Sequence, residues 1–198
     1  MPKQTPSQTV GPFFAYGLTP GQYGYGYRSL ATAAIAQEST EGERIRIIGR
    51  VLDGEGQPVP DALVEIWQAN AHGRYNHPAD DRRDNLLDPD FKGFGRCGTG
   101  TRADACFAFE TVKPGPVGDG QAPHLNVVVM ARGMLSHAFT RIYFSDEAEA
   151  NASDPVLARV EPERRDTLIA ERDDAASGTV YRHDIRLQGE GETVFFDA

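Results

Sequence analysis

Gln121-Ala-Pro-His-Leu-Asn-Val-Val-Val-Met-Ala-Arg-Gly133 is the stretch that decides the fold. Its apolar run from Val127 to Ala131 is dominated by valine, a residue that suits a pleated, half-buried surface. Strand side chains alternate, so His124 and Asn126 share one face. A histidine at each of these positions would set two metal-ligand nitrogens on a stiff element, but the second is an amide. Arg132 ends the run and a glycine follows it. A guanidinium at such a sheet rim can hold a carboxylate through two parallel hydrogen bonds. A salt bridge to an acidic neighbour is the competing role, and the sequence leaves both open.

Working outward, Ala138–Phe144 alternates and forms a natural antiparallel partner for this strand. Cys106–Val112 is a strand ended by the Lys113-Pro-Gly-Pro116 turn. Arg44–Leu52 alternates with a slip near Gly49, which predicts a bulge. Turn chemistry fills Asp53–Pro60. The strand Ala62–Ala69 follows, with Leu63, Glu65 and Trp67 on one face and Val64, Ile66 and Gln68 on the other. Residues 70–95 read as one long polar loop, a length that usually signals function or an interface. Leu30–Ala36 fits either a helical turn or a short strand. Helix is expected only late, from Asp146 and over Pro162–Glu171. Val180–Leu187 alternates throughout, and Thr193–Phe196 needs burial. Two prolines and a glycine between residues 5 and 16 exclude a regular helix there. Phe13, Phe14 and Tyr16 are too apolar for a free tail, so residues 1–29 read as an extended arm and loop that dock on a surface. The sum is an all-β chain: one β-sandwich domain over residues 1–198, with six or so short strands, a few short helices, an extended N-terminal arm and long loops.

Composition narrows the function classes. The 198 residues carry a net charge of -9 with no basic run, which argues against nucleic acid. No stretch approaches the ~18 apolar residues of a membrane span, and the first residues lack a secretory apolar core. A cytoplasmic protein with Cys97 and Cys106 as reduced thiols is the expectation. None of His72, His77, His124, His137 and His183 pair at metal-ligand spacing on one strand, and a lone His124 is more often a hydrogen-bonded structural residue. Neither a phosphate-binding loop nor a local acyl-transfer signature is present.

Several segments together carry a resemblance. They are Thr5-Pro-Ser-Gln-Thr-Val-Gly-Pro-Phe-Phe14, Ile48–Ala69, Asp88-Pro-Asp-Phe-Lys-Gly-Phe-Gly-Arg96, Thr111–Pro116, Ala122-Pro-His124 and Gln188-Gly-Glu-Gly-Glu-Thr-Val-Phe-Phe-Asp197. In these the chain resembles the intradiol ring-cleaving dioxygenases, and within them the alpha chains of the members built from paired alpha and beta chains. The resemblance implies a β-sandwich in a non-haem ferric enzyme of aromatic-compound catabolism, on the beta-ketoadipate route. That enzyme inserts both atoms of O2 into 3,4-dihydroxybenzoate (protocatechuate) and yields 3-carboxy-cis,cis-muconate. Catalytic chains of the family hold iron with two tyrosinates and two histidines. The matching positions here are Arg83, Val117, His124 and Asn126, so three of the four ligands are missing. The resemblance therefore implies that Fe(III) is bound by a partner beta subunit and not by this chain, in a hetero-oligomer of alpha/beta pairs. It further implies that this chain has no catalytic residue of its own. Its substrate-binding wall would be Thr9, Gly11 and Pro12 on the arm together with Arg132, and Tyr16 is a further candidate. The Gly49–Val64 region taken alone also resembles transthyretin-like modules, which leaves a non-enzymatic binding module as the alternative.

Overall fold

The computed structural model describes residues 9–176 and 178–197; Thr5–Gln8 of the arm motif lie outside them. Among the described residues there are nine strands: β1 Arg44–Leu52, β2 Leu63–Gln68, β3 Phe94–Gly98, β4 Cys106–Val112, β5 His124–Met130, β6 Ala138–Phe144, β7 Ile169–Ala175, β8 Gly178–Arg182 and β9 Ile185–Arg186. They follow one path, β3-β2-β5-β6-β7-β8-β1-β4, with β9 added to β1. The leaf β3-β2-β5-β6 is antiparallel throughout. A two-residue parallel contact, Tyr143 with Ile169 and Phe144 with Ala170, joins it to the leaf containing β7, β8, β1 and β4.

The expected β-sandwich forms because the alternation holds. Val64, Ile66, Leu125, Val127, Val129, Ile142 and Phe144 of the first leaf meet Ile45, Ile47, Phe107, Phe109, Val112 and Tyr181 of the second in one buried cluster. β5 gives Leu125, Val127 and Val129 to that core. Its other face, carrying His124, Asn126 and Val128, looks away from it, and a smaller cluster of Ala122, Tyr143, Leu157, Val160 and Leu168 covers the His124 end. Asp154, fully buried, holds this second cluster together. Its carboxylate accepts the backbone N–H groups of Ala122 (2.8 Å), Val156 (2.8 Å) and Leu157 (2.9 Å) and the Tyr143 hydroxyl (3.3 Å).

Several expectations change. Gly49 is not in a bulge, because its pairing to β4 is continuous from Arg44 to Arg50. Glycine is needed there for close approach: a Cβ would lie 1.7 Å from the His183 carbonyl oxygen. Val180–Leu187 is two strands. The His183 N–H is taken by the Ile48 carbonyl, and Asp184 turns out to pair with Arg50. β3 takes in the last two residues of the stretch read as loop and runs on to Gly98, and β7 takes residues 169–171 of the expected helix, whose 3-10 turn from Pro162 stops at Leu168. A five-residue helix, α1 (Phe14–Leu18), overlaps the segment where regular helix was excluded; it starts just beyond Pro12. Ala34 resolves the ambiguity of residues 30–36 by bridging to Glu110. Cys97 and Cys106 are free thiols.

Candidate functional site

Two places gather the residues singled out by sequence. The first is the rim at the end of β5. Ala131 is buried, Arg132 emerges with 57% of its side chain exposed, and Gly133 turns the chain at φ 86°. The Arg132 Nε donates to the Asp61 carboxylate, so the acidic neighbour anticipated as the competing role is present. Asp61 sits in the turn entering β2. That turn is fixed on its inner side: Ala62 N–H donates to Thr99 Oγ1 (3.0 Å), Thr99 N–H donates to the Ala62 carbonyl (2.9 Å), and the Thr99 hydroxyl donates to the Val59 carbonyl (2.7 Å).

The arm comes to the same end of the molecule. Thr9, Gly11 and Pro12 are exposed and lead into α1, where Phe14 N–H donates to the Gly11 carbonyl (3.2 Å). Thr19 closes the helix by bonding the Ala15 carbonyl with both its N–H and its hydroxyl. Gln22 then behaves as a piece of strand. Its amide oxygen accepts the Gly98 N–H (2.8 Å) and its amide nitrogen donates to the Gly98 carbonyl (3.2 Å), pinning the arm to the edge strand β3. An aromatic cluster stands on this anchor, with Tyr16 packed on Tyr23 at 4.5 Å and on Tyr25 and Phe13 at 6.1 Å. Phe13 remains 76% exposed. Burial pushes the Tyr23 phenol up, and its neighbours Tyr16 and Asp61 add to it. The Asp61 carboxylate therefore lies within electrostatic reach of Tyr23, and Tyr16, Tyr23, Asp61 and Arg132 form one connected region. Sequence reasoning missed Gln22, Tyr23 and Asp61. The signals were the Gly21-Gln-Tyr-Gly-Tyr25 run, read only as part of the N-terminal loop, and an aspartate between the Asp53–Pro60 turn and the next strand that was given no role.

The second place is the outer face of β5 and its surroundings, where the resemblance sets the positions expected of iron ligands in catalytic chains. It is filled by other chemistry. His124 is 1% exposed and its Nδ1 lies 2.8 Å from the Ala122 carbonyl. Burial, helped by Arg141, takes its pKa down to about 4. The Asn126 amide nitrogen donates to the Tyr75 hydroxyl (2.9 Å) and the Trp67 carbonyl (3.2 Å). Tyr75 stacks on Trp67 at 5.6 Å, and burial raises its phenol, so it is neutral. Arg83 is exposed and cationic, and Val117 has no donor atom. Beside them an open cavity of about 670 Å³ is lined by Trp67, Tyr75, His77, Asp80 and Arg82 among others. Arg82 holds the Asp80 carboxyl down at about 2. This set does not fit a ferric ion. Fe(III) calls for anionic oxygen donors, and the four positions offer one buried imidazole, an amide turned as a donor, an alkyl group and a cation. Among the described residues no cluster of three His, Cys, Asp or Glu side chains is placed to hold a metal.

Comparison with known proteins gives a consistent result. A family model described as dioxygenase matches residues 19–189. The chain is 56% identical over 197 residues to the protocatechuate 3,4-dioxygenase alpha chain of Burkholderia cepacia, covering 98% of both chains. It is 45% identical to the alpha chain of Pseudomonas putida, over 98% of this chain and 96% of that one. The beta chain of the Burkholderia cepacia enzyme matches at 36%, over 83% of this chain and 72% of that one. Among solved structures, the dioxygenase domain of a dioxygenase carbohydrate-binding fusion from Streptomyces sp. SirexAA-E superposes with a TM-score of 0.61 at 23% identity, covering 94% of this chain and 99% of that one. That likeness speaks to the fold.

Proposed function

The chain belongs to the intradiol dioxygenase family, among the protocatechuate 3,4-dioxygenase alpha chains, and from that premise we propose that it is the subunit that completes the substrate pocket of an iron-bearing partner. The reaction is cleavage of 3,4-dihydroxybenzoate by O2 to 3-carboxy-cis,cis-muconate, in the cytoplasm, within an assembly of alpha/beta pairs. Fe(III), held by the beta subunit, supplies Lewis-acid and redox chemistry.

The residues of this chain bind, orient and shield. Arg132 receives the carboxylate of the substrate. Its side chain is exposed at a fixed strand end, and its Nε is the nitrogen committed to Asp61. Thr9, Gly11 and Pro12 give a stiff backbone edge, and Tyr16 an aromatic wall that excludes water from the ring. The observation that carries this reading is the donor set on the outer face of β5, which has the family scaffold and lacks the anionic oxygens an iron ion needs. Matches over 98% of the chain, arm and tail included, favour it over a transthyretin-like module.

The test is to express the chain alone, a beta-type partner alone, and both together, and to measure iron content, tyrosinate-to-iron absorption and ring cleavage. Full activity is expected only in the mixture. Arg132→Ala in the complex should raise KM for 3,4-dihydroxybenzoate roughly ten- to a hundredfold, the value of a charge-assisted pair, at unchanged iron content. Stoichiometric iron in the solitary chain, or wild-type kinetics in Arg132→Ala, would refute the assignment.

A further inference from the structure

An arginine that must greet an anion from a loop end has to be held still. Arg132 lies beyond the last residue of β5, is followed by a glycine at positive φ, and has 57% of its side chain in solvent. A free arginine in that setting samples many rotamers, and binding has to freeze them. Asp61 has a firmer setting. It is 30% exposed by side chain and sits next to Ala62, which is 1% exposed and bonded through both its N–H and its carbonyl to Thr99. The contact between them uses Nε of the guanidinium, and the two terminal nitrogens have no partner among the described residues. The edge of the fork that suits a carboxylate is left open.

We propose that Asp61 is a positioning residue: anchored on the β2 turn, it fixes the Arg132 guanidinium with its open edge outward and makes no contact with substrate. This rests on the pocket-wall role given to Arg132 above. The same carboxylate stands near Tyr23, on which Tyr16 packs at 4.5 Å. Its charge also works against a bound anion, but at an exposed rim water screens that repulsion, and the gain from holding the arginine outweighs it.

The experiment uses the alpha/beta complex and two substrates, 3,4-dihydroxybenzoate and catechol, the latter without a carboxylate. In Asp61→Ala, KM for 3,4-dihydroxybenzoate rises roughly three- to tenfold, kcat stays within twofold, and KM for catechol is unchanged. Asp61→Glu recovers most of the loss. Adding Asp61→Ala to Arg132→Ala costs nothing further, because the first residue acts only through the second. A wild-type KM in Asp61→Ala overturns the proposal. So does a lowered KM, which would make Asp61 a competitor for the arginine, and so does an equal rise for catechol, which would mark a general disturbance of the fold. If Arg132→Ala raises KM and Asp61→Ala does not, the positioning role alone fails. If Arg132→Ala is itself silent, the wall role fails and takes this one with it.

Discussion

Acid should unfold this chain through two histidines before its carboxylates respond. His183 lies where β8 breaks from β9; its Nε2 is buried without a partner and its Nδ1 lies 3.4 Å from the Ile169 carbonyl. Burial takes its pKa to about 4, and burial together with Arg141 does the same for His124. In the unfolded chain both titrate near 6.5. Between those values the unfolded state binds protons that the native state refuses, so stability rises with pH and falls as acid is added. At about 1.4 kcal/mol per unit, a fall of roughly 2.5 units is worth about 3 kcal/mol per histidine. Together they remove about 6 kcal/mol between pH 7 and pH 4, comparable with the whole stability of many domains. The strongly lowered carboxyl of Asp80, held at about 2 by Arg82, contributes only below its ordinary value of 3.8. The window from 6.5 to 4 therefore belongs to the histidines. Urea unfolding at half-unit steps from pH 7 to 4.5 measures it: mid-window the unfolding free energy should fall by about 2.7 kcal/mol per pH unit, and His183→Gln should halve that slope. A flat profile from pH 7 to 4.5, or an unchanged slope in His183→Gln, refutes the reasoning.

Two further outcomes concern packing. Asp154→Ala leaves three backbone N–H groups and the Tyr143 hydroxyl without their acceptor in a buried place, and should cost about 3–5 kcal/mol in denaturant titration. A loss under about 1 kcal/mol would remove Asp154 from its place as the hub of the second cluster. Gly49→Ala drives a Cβ to 1.7 Å from the His183 carbonyl and 2.7 Å from the Phe107 ring. It should cost more than about 4 kcal/mol or abolish soluble expression, and a wild-type Tm would show that β1 and the His183 segment can separate there.

The parts of the fold legible in the sequence are those where one face is apolar and the next polar. β1 and β6 announce themselves by alternation, β5 by its valine run, and β2 and β4 by apolar stretches beside turn residues; together they carry most of the buried core. β3, Phe-Gly-Arg-Cys-Gly, has too little apolar surface to stand out, and tertiary pairing to β2 makes it a strand. β7 carries Glu171, Arg172, Asp173 and Asp174 in a row; its signal is cross-strand charge, such as Arg182 with Asp173, which only the partner strand reveals. At the candidate site Arg132 was visible because an apolar run ends on it. Asp61, 71 positions away in sequence, was not, because nothing local distinguishes an aspartate that caps a turn from one that grips a distant arginine.

The amide of Asn126 bears on metal binding. It satisfies the Trp67 carbonyl and the Tyr75 hydroxyl together. Exchanging it for an imidazole, one step toward a metal site, would leave a single N–H for two acceptors and strand one of them at roughly 1–3 kcal/mol, while Val117 and Arg83 still offered an ion nothing. Two ordinary hydrogen bonds thus lock this face of β5 into a polar pairing that resists conversion to a metal site.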